Sequence, residues 1–98
     1  MGVGLQDGWH ENQVKHAGSE ALDDLEPLLG EVRALPGLTE KKRGIFYRKS
    51  QAFLHFHEDA EGLFADVKLG DAGYTRLRVT TAAERKRFLA AARKALAS

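Results

Sequence analysis

The chain has 98 residues, 43% of them apolar and 30% charged, with a formal net charge of +1 and no cysteine. That is enough apolar material for one small core, and without thiols it excludes disulfides, thiolate catalysis, cysteine-ligated zinc and iron–sulfur clusters. The charge is divided, with two bases against eight acids in residues 1–40 and thirteen against six beyond; either the basic part meets an anionic partner or the acidic segment folds against it.

Residues 1–18 combine glycines at 2, 4, 8 and 18 with Gln, Asp, Asn and His and show no periodicity, so a flexible tail is expected there. Trp9 breaks its polarity and could fold back onto the domain. "GVGLQDG" has the glycine density of a phosphate loop, but no strand precedes it and no Lys-Ser/Thr follows, so it fails its context test. "MGVGLQDGWHENQ" lacks the basic start and apolar stretch of a secretory signal, and no apolar run approaches the roughly 20 residues of a membrane span; a cytoplasmic protein with no membrane partner is the expectation.

A single α+β domain is expected over residues 19–98. Ser19 can cap a helix whose apolar stripe runs Leu22, Leu25, Leu28, Leu29, Val32 and Leu35. Pro27 interrupts this stripe, so the helix either starts near Glu26 or kinks there, and "LPG" at 35–37 stops it. "LTEKKRG" reads as a link. From Gly44 the period changes to 2, and "IFYRKS", "QAFLHFHE", "GLFADVKLG" and "YTRLRVT" read as short strands, the first two as a hairpin turning at Lys49-Ser50. "TTAAERKRFLAAARKALAS" closes the chain with a helix opened by a capping box, Thr81 with Glu84, and with Phe88, Leu89, Ala92 and Leu96 on one face.

Strand alternation sorts the middle of the chain into two faces. Ala52, Leu54 and Phe56, then Leu63, Ala65, Val67 and Leu69, then Thr75, Leu77 and Val79 form the apolar underside that two helices can cover. The predicted architecture is an antiparallel sheet of three or four strands with both helices on one face. The opposite face carries Phe53, His55, His57, Phe64, Asp66, Lys68, Tyr74, Arg76 and Arg78, which are the candidate binding residues. A turn at Asp59–Gly62 gives paired residue numbers that sum to 121, setting His55 opposite Asp66 and His57 opposite Phe64; a register shifted by two brings His57 to Asp66 instead.

Four chemistries compete for this face. His55 and His57 with Asp66 could supply a three-ligand metal site, though Lys68 and Arg76 would oppose a divalent ion, and no metal or cofactor is assigned. A His–Asp pair suits general-base catalysis, but no nucleophile accompanies it and no catalytic residue is assigned. Phe53, Phe64 and Tyr74 interleaved with Lys68, Arg76 and Arg78 could stack bases and meet phosphates, with "KKRGIFYRK" and Arg85, Lys86 and Arg87 as further contacts. A protein partner or self-association through the aromatic face is at least as well supported. The reading that results is a non-enzymatic binding domain whose partner, protein or nucleic acid, the sequence does not name.

"LPGLTEKKRGIFYRKSQAFLHFHEDAEGLFADVKL", residues 35–69, resembles the small uncharacterised bacterial α+β proteins of the MmcQ/YjbR type. These share a helix ending in Leu-Pro-Gly, a strand starting Gly-x-Phe, a second strand with Phe-Leu or Phe-Ala, and a third running into a terminal helix. The resemblance covers about the last three quarters of the chain. Its motifs are structural: Pro36-Gly37 end a helix, Gly44 opens a strand, and Phe53 to Phe56 pack. It implies an α+β fold and DNA binding through a winged surface, and it carries no catalytic residue across.

Overall fold

The computed structural model describes residues 15–97; the expectations for Trp9 and for "GVGLQDG" fall outside them. A two-residue strand β1 (Lys15–His16) leads into helix α1 (Ser19–Arg33), followed by β2 (Leu38–Lys42), β3 (Ile45–Arg48), β4 (Gln51–Asp59), β5 (Gly62–Gly70), β6 (Gly73–Arg78) and helix α2 (Ala82–Leu96). The fold is α+β, with the sheet antiparallel in the order β2-β3-β4-β5-β6 and β1 paired to β4.

The sheet is wider than the three or four strands expected. β2 forms within "LTEKKRG", where the sequence predicts a link. Its alternate position 40 is a glutamate, which accepts hydrogen bonds from Arg33 Nε (2.6 Å) and from the Gly44 amide (3.0 Å), so the strand has no apolar alternation to betray it. β1 is the other addition. Residues 15–18, read with the preceding segment as tail, hydrogen-bond to β4: the Ala17 amide donates to Phe56 O at 3.1 Å and the Gly18 amide to Glu58 Oε2 at 2.6 Å. β4 is nine residues long, so one of its edges serves two neighbours, β3 along Gln51–His55 and β1 at His57–Glu58.

α1 runs unbroken through Pro27, which is exposed, while Ala21, Leu25, Leu28, Leu29 and Val32 form the buried stripe. Burial of five apolar side chains along one face outweighs the single backbone donor lost at proline. Gly18 occupies the N-cap and Ser19 the first helical position. α2 begins as expected, with the Glu84 amide donating to Thr81 Oγ1 at 3.1 Å and the Thr81 amide donating to Glu84 Oε1 at 2.9 Å. Both helices share one core with the inward residues of the sheet, including Leu54, Phe56, Ala65, Val67 and Val79. Phe56 and Phe88 meet edge to face at 5.8 Å between centroids. The acidic segment turns its charge onto the basic one: Arg43 contacts Asp23 (2.9 Å) and Glu26 (2.6 Å), and Arg85 contacts Asp24 (3.5 Å).

At Gly44 φ is +83°, and a Cβ there would lie 2.7 Å from Leu22 Cδ2. The β2–β3 turn therefore needs a residue with neither a side chain nor an aversion to the left-handed region. At the next hairpin Lys49 and Ser50 both take positive φ, 52° and 69°, the requirement of a two-residue turn that follows the sheet twist.

Candidate functional site

The β4–β5 register has the expected sum: His55 opposes Asp66, His57 opposes Phe64, and the pairing closes at Asp59–Gly62. β6 continues the same face, setting Arg78 opposite Phe64, Arg76 opposite Asp66 and Tyr74 opposite Lys68. Eight of the nine predicted residues thus occupy consecutive rungs of one face. Phe53 does not belong with them. β3 pairs Phe46 with Leu54 and Tyr47 with Ala52, so Phe53 is the extra residue of a bulge; it is 3% exposed and lies in the core cluster.

Asp66 is the hub of this face. Its carboxylate is forked by Arg76, Nε to Oδ1 and Nη2 to Oδ2, each at 2.8 Å. His57 Nε2 lies 3.0 Å from Oδ2 on the diagonal. Burial alone would raise the Asp66 carboxyl, but the Arg76 hydrogen bonds and the charges of His57 and Arg76 outweigh it and hold it below the ordinary carboxylate range. His57 and Asp66 are only 7% and 8% exposed, so this polar pair is covered rather than displayed as the alternation suggested.

His16 is the component that sequence reasoning missed. It pairs directly with His57 across the β1–β4 ladder, and its ring stands 5.2 Å from the His57 ring and 5.3 Å from the His55 ring, centroid to centroid. His55 and His57 are 4.7 Å apart, and the Tyr74 ring meets His55 edge to face at 4.8 Å. Three of the chain's four histidines therefore converge, with one ligand nitrogen of each within 4.8 Å of the others. A two-residue strand leaves no period to detect, and the histidine count was the only available signal.

Burial, the neighbouring His57, His16 and the Arg76 charge lower the His55 pKa against the opposing pull of Asp66, which favours the neutral imidazole. Burial, Tyr47 and Asp66 raise the Tyr74 phenol. The cations of the face lie against its rings: Lys68 sits 5.2 Å from the Tyr74 centroid, Arg78 5.8 Å from Phe64, and Lys41 5.5 Å from Tyr47. Arg78 also donates to Glu61 O at 2.6 Å and lies 3.3 Å from Glu84.

Comparison of the chain with protein-family models, with curated proteins and with solved structures returned no match. No helix among the described residues is long and apolar enough to cross a membrane.

Proposed function

We propose that this is a non-enzymatic binding domain that receives an acidic protein partner on the outer face of its sheet. The observation that carries the reading is an outer sheet face on which the Lys68 ammonium lies 5.2 Å from the ring centroid of Tyr74, which at 43% exposure is the one large exposed hydrophobic residue among those described. Such a surface offers apolar contact area and a cationic rim together. Binding fits better than catalysis because two cavities of about 570 and 280 Å³ reach the candidate face only at its edges, through Lys68 and Arg78, and include none of His16, His55, His57 and Asp66 in their walls.

A protein fits better than nucleic acid for a specific reason. Arg76 is held in the Asp66 fork, Arg78 is held by Glu61 and Glu84, and Phe53 is in the core, so three of the six residues that would stack bases or meet phosphates are occupied elsewhere. The test is affinity capture from native cell extract with the wild type and with Lys68→Glu and Tyr74→Ser, all three verified as folded by circular dichroism. A captured protein with an acidic surface that both variants release supports the proposal. Capture unchanged in both, or retention of nucleic acid in its place, overturns it.

A further inference from the structure

From the convergence of three imidazoles on one face we infer that His16, His55 and His57 bind a divalent transition-metal ion of the zinc class. The inference stands apart from the protein partner proposed above, since the ion would be held by this chain alone.

The placement has the character of a coordination site. His55 and His57 alternate on one strand of nine residues, and His16 is set directly across from His57 by the backbone ladder. The third donor is thus anchored in the sheet rather than presented by a loop. The ligand nitrogens lie within 4.8 Å of one another. In a tetrahedral zinc site, metal–nitrogen bonds of about 2.0–2.1 Å set nitrogens about 3.3–3.4 Å apart. The His16 side chain is exposed, so its ring has room to rotate and shorten its own two separations.

The surroundings support ligation in two ways. First, Asp66 sits 3.0 Å from His57 Nε2 and is itself fixed by Arg76. A carboxylate on one ring nitrogen sets the tautomer with its proton there and directs ligation to the other nitrogen, Nδ1, while raising its basicity. Asp66 thus becomes the group that orients a ligand, rather than the third ligand that sequence reasoning considered. Second, the cations expected to oppose a metal are engaged: the Arg76 charge is matched by Asp66, and Lys68 leans over Tyr74.

The donor set selects the metal. Three imidazoles without thiolate suit zinc, cobalt, nickel or copper, whereas magnesium and calcium require oxygen ligands. Three protein ligands also leave a fourth position for water or for a donor from outside the chain.

The experiment uses the full chain, stripped with chelator and titrated with zinc chloride by calorimetry and with cobalt chloride by visible absorption. One ion per chain, with the intense visible bands of tetrahedral cobalt, is expected. His16→Ala, which alters an exposed side chain, should weaken binding by tenfold or more without loss of fold, and His55→Ala should do the same. Asp66→Asn should weaken affinity by roughly 10–100-fold while keeping the stoichiometry. Absence of saturable binding by the native chain, or an affinity that His16→Ala leaves unchanged, overturns the inference.

Discussion

Replacing Asp66 by asparagine isolates the charge at the centre of the outer face, because the side chain keeps its shape. One oxygen remains to accept from Arg76, and an amide NH₂ replaces the other, facing a donor at the distance where an acceptor stood. Charge-assisted hydrogen bonds are worth about 1.5–3 kcal/mol when buried, but the Arg76 side chain is 40% exposed and exposed pairs yield only about 0.2–1 kcal/mol. Weighing one lost contact between these limits, we expect Asp66→Asn to cost about 1–2.5 kcal/mol at pH 7. For a domain of this size that lowers Tm by roughly 5–15 °C. Urea unfolding followed by circular dichroism measures the difference directly. Because the native carboxyl titrates below its unfolded value of 3.8, the stabilisation is complete above that value and is lost as pH falls through the lowered native one. The gap between wild type and variant should therefore close in strong acid. A difference below about 0.5 kcal/mol at pH 7, or a gap that persists undiminished to the lowest pH at which both proteins fold, would refute the reasoning.

Gly44→Ala should cost about 1–3 kcal/mol, since it forces φ of +83° on a residue with a Cβ and drives that atom into Leu22; an unchanged urea midpoint would contradict the assigned turn. Thr81→Ala removes the N-cap acceptor of α2 and should cost about 1 kcal/mol in the same assay. Between about pH 6.5 and 5 the wild type should lose stability as the pH falls, because the unfolded chain protonates His55 before the native one does. A stability advantage of the wild type over His55→Gln that grows between pH 7.5 and 5.5 would reverse that sign.

Much of this fold could be read from spacing. The stripe from Leu25 to Val32, the Thr81–Glu84 box and the Lys49-Ser50 turn are local signals, and each sits where local chemistry requires it. The odd pairing sum of β4–β5 also followed, because slipping by one residue would have sent Leu54, Phe56 and Val67 to the wrong side; between the two registers this left open, the turn at Asp59–Gly62 selects the one with His55 opposite Asp66. What escaped was non-local. Phe53 is inward because β4 carries a bulge against β3, and counting parity along a strand cannot register an inserted residue. β2 hid behind Glu40, a polar side chain at an alternating position that is satisfied only once Arg33 and Gly44 are folded beside it. His16 was invisible because its partners lie about forty positions downstream.

The division of one β4 edge between β3 and the short β1 has a further consequence. Residues 15–17 cap the exposed amide and carbonyl row beyond the reach of β3. A polypeptide trimmed to begin at Ser19 would uncover that row beside Phe56 and His57, a ready template for strand exchange with a neighbouring molecule. Protection of this edge against association then rests on residues 15–17 as much as on the core.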